Sequence, residues 1–212
     1  MKKIVLLIAF GFLAIESHSQ IGENSVSEKL LFGVKAGLNN SNVYSTQGDG
    51  FSAEGKFGYA LGMFVSIPII ENIGIQPELL LSQKGFKGTG NSPGNIYNVT
   101  RTTTYLDIPL LATVKPVSFI TLLAGPHYSY LLNGKYSFGN ASTTIAQEED
   151  FINEDSRKST LGFGGGLDIN VNHFVISARA FWDLQKNRSN ENSITPRYNN
   201  TWYQATLGYR FY

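Results

Sequence analysis

The sequence predicts an all-β fold, an eight-stranded antiparallel up-and-down transmembrane β-barrel, from three observations. Residues 73–84 alternate with a strand period. Ile73, Ile75, Pro77, Leu79 and Leu81 fall on one face, and Gly74, Gln76, Glu78, Ser82 and Lys84 on the other, with Leu80 the apolar exception. A carboxylate inside an oily strand is costly unless its face is wet or paired. One side of the strand therefore meets hydrocarbon and the other a polar enclosure, an inside-out arrangement. The second observation is a rhythm of long and short connections, and the third is the placement of aromatic residues at strand ends.

The strands follow in order. Residues 31–39 set Phe32, Val34, Ala36 and Leu38 against Gly33, Lys35, Gly37 and Asn39. An Asn/Ser/Gly-rich loop over 40–56 precedes residues 57–67, whose apolar face is Tyr59, Leu61, Met63, Val65 and Ile67. A short connection over 68–72 leads into the strand at 73–84, and a Gly/Asn/Pro loop occupies 85–97. Residues 99–112 oppose Leu106, Ile108, Leu110 and Ala112 to Arg101, Thr103, Tyr105 and Asp107, and Lys115-Pro116 reads as a tight turn. Residues 119–132 place Ile120, Leu122, Ala124, Pro126, Tyr128 and Tyr130 opposite Thr121, Gly125, His127 and Ser129. The longest loop, 133–158, carries the acidic cluster Glu148, Glu149, Asp150, Glu154 and Asp155. Residues 161–169 oppose leucines, Phe163 and Ile169 to Gly162, Gly164, Gly166 and Asp168, and a short turn over 170–173 follows. Residues 174–185 set Ile176, Ala178 and Trp182 against Ser177, Arg179 and Asp183. After a polar loop, residues 201–212 set Tyr203, Leu207, Tyr209 and Phe211 against Gln204, Thr206 and Arg210.

Eight strands of about ten residues suit a tilted bilayer crossing. Alternation of long and short connections matches long external loops and short periplasmic turns, which puts both termini in the periplasm. Tyr59, Tyr128, Tyr130, Trp182 and Tyr203 lie beside the long loops, and Phe32, Phe174, Tyr209 and Phe211 at the opposite ends. Two aromatic belts enclosing an aliphatic band fit two membrane interfaces. Pro77, Pro109 and Pro126 fall inside strands and predict local bulges. Inward Phe64, Leu80, Leu111, Leu123 and Phe181 predict a packed lumen.

The first 19 residues read as a signal peptide. Lys2 and Lys3 are followed by an apolar run over 4–15, and Ser17-His18-Ser19 suits cleavage before Gln20. The barrel domain then spans 20–212. Removing residues 1–19 takes Lys2, Lys3 and Glu16 from 17 basic and 16 acidic side chains, which leaves the charges balanced. A nucleic-acid partner would call for a basic stripe and is not expected. The chain has no cysteine, which excludes disulfides, a Cys nucleophile and a lipidated cysteine.

GVKAGLNNSNV (33–43), IGIQPELLLSQKG (73–85), YLDIPLL (105–111), LLAGPHYSYLL (122–132) and LGFGGGLDI (161–169) together resemble the PorT-like, porin-like outer-membrane β-barrel family of Gram-negative bacteria. The ending LGYRFY (207–212) is similar to the aromatic C-terminal signal read by the outer-membrane assembly machinery. The resemblance implies residence in the cell outer membrane and, for some members, a part in protein secretion.

Inward charges predict a lumen network of Lys35, Arg179 and Arg210 against Glu78, Asp107 and Asp168, with Arg101 and Asp183 nearer the outer rim. Buried opposite charges must pair. A polar plug is the reading, and a narrow path for ions or small solutes the alternative. His127 and Ser129 share the lumen face, but no acid is obviously placed for a lipid hydrolase. The glycines of 162–166 lack the Lys-Ser/Thr ending of a phosphate cradle and read as small residues facing a crowded lumen. The acidic cluster lacks calcium-loop spacing. No catalytic, cofactor or metal site is expected. The expected protein is a monomeric, non-enzymatic barrel, surrounded by outer-membrane lipid, that acts as an anchor or through envelope or secretion-system partners.

Overall fold

The computed structural model describes residues 30–44, 52–92, 95–140, 143–147, 157–186 and 199–211. The expected signal peptide, the acidic cluster at 148–155 and Tyr212 lie outside the described residues. The strands are β1 (Leu31–Tyr44), β2 (Ser52–Ile70), β3 (Ile73–Ser92), β4 (Asn95–Val117), β5 (Ile120–Asn140), β6 (Thr143–Gln147), β7 (Ser159–Val171), β8 (Phe174–Asp183) and β9 (Asn199–Phe211). Consecutive barrel strands pair antiparallel, β5 with β7 past the intervening β6, and β9 pairs with β1. These eight close an up-and-down barrel. The ninth, β6, pairs with β5 above the point where β7 leaves it: Tyr136↔Gln147 begins beyond Tyr130↔Ser159.

The alternation is inside-out. Leu122 and Ile176 are 48% and 51% exposed, whereas Glu78 and Arg179 are each 3% exposed. A row of outward aliphatic residues therefore surrounds a polar interior. At one end Phe32, Phe174, Tyr209 and Phe211 are exposed, with Tyr209 edge-on to Phe174 (5.5 Å) and Phe211 (5.3 Å). At the other end Tyr128, Trp182 and Tyr203 face outward.

Two-residue turns, Glu71-Asn72, Ser118-Phe119 and Asn172-His173, close the end that carries the aromatic cluster. Asn172 has φ 52°, a left-handed conformation that Asn tolerates better than most residues. The turn expected at Lys115-Pro116 is displaced to Ser118-Phe119. Lys115 and Pro116 instead lie in a register shift between Val114 and Val117, where a missing proline N–H loses nothing.

Pro77, Pro109 and Pro126 cause no bulge, contrary to expectation. The β2–β3 pairs on either side of Pro77 keep one register, as do the β3–β4 and β4–β5 pairs around Pro109 and Pro126. Each proline interrupts pairing with one neighbour only. On its other side the ladder continues: Pro77↔Leu110, Pro109↔His127 and Pro126↔Phe163. A strand residue's N–H points to a single neighbour, so proline costs one bond and the barrel closes around it. Where β2 and β3 part at Val65, a crevice of about 380 Å3 opens on the outer wall, lined among others by Phe32, Met63, Val65, Pro77 and Leu79.

Most barrel strands are longer than expected, up to 23 residues in β4, whereas β8, with 10 residues, ends two residues short of the expected 174–185. Parts of the regions read as loops at 40–56, 85–97 and 133–158 are strand, and the β3–β4 ladder runs unbroken in register to Ser92↔Asn95. Backbone pairing needs no apolar alternation once strands leave hydrocarbon, so the period that marks the membrane portion fades while the sheet continues.

Candidate functional site in the barrel lumen

The barrel turns the polar phase of every strand toward one axis, and large side chains are accommodated by cross-strand glycines. Gly33 is the direct partner of Phe64, and Gly164 of Phe181. A Cβ at residue 33 would stand 2.4 Å from Phe64 Cζ, and one at residue 164 would stand 2.1 Å from Phe181 Cδ1. The glycine run at 162–166 thus makes room for rings.

The first charge cluster joins four strands. Lys35 Nζ of β1 lies 2.6 Å from Glu78 Oε2 of β3. Arg179 of β8 donates from Nη1 to Glu78 Oε1 at 3.0 Å, and from Nη2 to Asp168 Oδ1 and Oδ2 of β7 at 2.8 and 2.9 Å. Gln76 Nε2 donates to Glu78 Oε1 at 2.9 Å. Two cations face two carboxylates, so the cluster is neutral and its members are hydrogen-bonded, which buried ions require.

A second cluster centres on Lys84, an inward residue of the polar face at 73–84. Its Nζ donates to Asp107 Oδ1 at 2.9 Å and Ser129 Oγ at 3.3 Å, and sits 3.4 Å from the Trp202 ring centre and 4.8 Å from that of Tyr105. Asp107 therefore pairs with Lys84 and is separate from the first cluster. Arg210 belongs to neither. It lies at the turn end, where Nη2 donates to Asn172 O at 2.9 Å. One strand end from the lumen, its guanidinium meets a turn carbonyl instead of a buried carboxylate.

An acid does stand beside His127. Its Nε2 is 3.0 Å from Asp183 Oδ1, and Asn200 Nδ2 donates to Asp183 Oδ2 at 2.7 Å. The pair meets across β7 because Gly162 is the partner of both residues, and a Cβ there would stand 2.1 Å from His127 Cε1. His127 is also edge-on to Phe181 (5.4 Å) and Trp202 (5.0 Å). Ser129 takes its hydrogen bond from Lys84. The chemistry on offer is a dyad packed among rings and a hydroxyl held by an ammonium.

The partners missed at the sequence level share one signal, inward phase. Lys84, Gln76, Asn39 and Gln204 all carry it. Gln204 Nε2 donates to Asn39 Oδ1 at 2.9 Å. Among the described residues no group of three or more His, Asp or Glu is placed to hold a metal ion.

The model of the outer membrane protein β-barrel domain family matches residues 18–187. Solved structures with similar folds include the attachment invasion locus protein Ail of Yersinia pestis, with 17% identity, TM-score 0.48, and coverage of 85% of this chain and 98% of that one. OprG of Pseudomonas aeruginosa has 13% identity and TM-score 0.45, covering 86% and 96%. Neisserial surface protein A has 11% identity and TM-score 0.44, covering 87% and 100%. No curated protein matches the chain.

Proposed function

Because the chain belongs to the outer membrane protein β-barrel domain family, we propose that it is a non-enzymatic envelope barrel that works by contact with other proteins. In this reading it is a PorT-like member, and a secretion apparatus is the class of partner the resemblance favours. Both termini lie in the periplasm, and the aromatic C-terminus is read by the assembly machinery during insertion.

The observation that carries the proposal is the sheet that runs past the outer aromatic belt. Eight residues separate Lys84 from Ser92 on β3, about 25 Å of further strand. β4 and β5 accompany it, and β6 adds a strand whose described pairing is to β5 alone. An open strand edge is a template for another chain. The membrane portion then serves as an anchor, braced by its lumen clusters.

The filled lumen favours this over a solute path: Trp202, Lys84, Phe181, Leu80 and Leu111 are all fully buried. The Lys84–Ser129 bond favours it over a lipid hydrolase, since the hydroxyl accepts from an ammonium already paired with Asp107, while His127 is turned to Asp183. The test is pull-down from intact outer membranes with residues 86–101 replaced by a short turn. The barrel should keep its folded gel mobility and lose its partners. Recovery of the same partners would contradict the proposal.

A further inference from the structure

The crevice on the outer wall is a trench between two rows of outward residues. In the first row Phe32 of β1 and Val65 of β2 are direct partners, and Pro77 of β3 stands opposite Val65 where the ladder is interrupted. The second row is Val34, Met63 and Leu79, direct partners across the same three strands. Between the rows lie Gly33, Phe64 and Glu78, again partners and all of inward phase, so their backbone forms the floor.

Any strand face carries such rows, and the first row is what deepens this one. Val65 has outward phase but is 7% exposed, against 54% for Met63 two residues away. Pro77 is compact and brings no N–H with which to draw β2 and β3 together. The rows stand two residues apart along each strand, about 7 Å. A single file of carbon atoms between them touches both at the contact distance of about 3.5–4.0 Å.

The trench also has a direction. Phe32 and its partner Phe211 stand at the turn-end termini of β1 and β9, in the aromatic belt. Leu79 and Ile108, at the other end of the crevice, stand six and nine residues inside β3 and β4. Aromatic belts mark the headgroup level and the band between them is hydrocarbon. From β9 to β4 the trench therefore runs from headgroup level into the band across four strand spacings, about 19 Å. Its volume is about 380 Å3. Glu78 is the ionisable residue of the lining, and its carboxylate is taken by Lys35 and Arg179 in the lumen, which leaves the trench apolar.

The wall of an outer-membrane barrel is a lipid interface, and the occupant that a bilayer supplies in single file is an acyl chain. We propose that the crevice binds one straight acyl chain of a phospholipid in the leaflet that meets the short turns. The ester end lies at Phe32 and Phe211 and the methyl end points toward Ile108. With no free charge in its lining, the site selects the chain and not the headgroup.

The test uses the protein extracted from outer membranes, held in maltoside micelles with phosphatidylcholine that carries a diazirine on one acyl chain. After photolysis the adducts are located by peptide mass spectrometry. A mid-chain diazirine should mark residues 63–65 and 77–79 in preference to 167 and 176–178 on the far wall. Val65→Phe fills the trench from its floor and Leu79→Trp from its rim. Each should lower crevice adducts about fourfold, the worth of roughly one buried methylene, while keeping the folded gel mobility. Leu167→Trp, on the far wall, should leave crevice adducts unchanged. Even labelling of the whole wall, or crevice labelling untouched in both folded variants, would overturn the site. A diazirine near the ester should mark Phe32 and Phe211, and one near the methyl end Leu79 and Ile108; the reverse order would overturn the direction. A dimer in native mass spectrometry of the same sample, dissolved by Val65→Phe, would overturn lipid as the occupant in favour of a second copy of the chain.

Discussion

Arg179 of β8 and Glu78 of β3 stand four strands apart around an eight-stranded barrel, and their side chains meet at 3.0 Å across its axis. The contact ties opposite walls together, and it carries Lys35 and Asp168 with it. The lumen is thus cross-braced by charge at one level and by rings and Lys84 at another.

Removing Arg179 should be the most damaging single change in the first cluster, because it leaves two buried carboxylates short of a cation. Arg179→Met should cost about 3–5 kcal/mol, the range for breaking a buried pair. Asp168→Asn, which leaves Arg179 bound to Glu78, should cost less. Urea unfolding of the barrel in lipid vesicles, followed by gel mobility, gives the order.

Gly164 should tolerate no side chain. Its partner Phe181 fills the space, and overpacking a well-filled interior costs about 1–3 kcal/mol. Gly164→Val should be destabilised by that amount, and Gly164→Val/Phe181→Ala should recover part of it. Equal loss in the single and double variants would mean that the ring and the glycine are not coupled.

These contacts show what could be read in the chain before any coordinates. Period-two alternation put Glu78, Lys35, Asp168 and Arg179 on the inward face, because that information is local. Which inward charges meet depends on strand tilt and stagger, which no single strand encodes. Asp107 therefore went to Lys84, and Asp183 to His127 across the bare backbone of Gly162. Arg210 shares the inward phase but lies one strand end too low. The extended β3–β4 ladder was hidden for a different reason: beyond the membrane, Gly, Asn and Thr pair as strands without the apolar signal.

The lumen should not conduct. Purified protein in planar bilayers should show no steady current, and Trp202→Gly, which removes the largest fully buried side chain, should be the variant most prone to open. Sustained current through the parent, with ion selectivity altered by Glu78→Gln, would favour the solute path.

Ser129→Ala should leave membrane lipid as intact as the parent does, since the hydroxyl accepts from Lys84 and is not poised by His127. Release of fatty acid by the parent, abolished in Ser129→Ala, would establish the hydrolase reading.

The account depends on oil outside and charge within, and site-directed spin labelling tests it most directly because the chain has no cysteine to interfere. Labels placed singly at residues 122, 176 and 207, in protein reconstituted into lipid bilayers, should be accessible to oxygen and shielded from a water-soluble nickel complex. Labels at 121, 177 and 206 should be shielded from oxygen. The opposite pattern, with Leu122, Ile176 and Leu207 hidden and their neighbours in contact with water, would contradict the barrel described here.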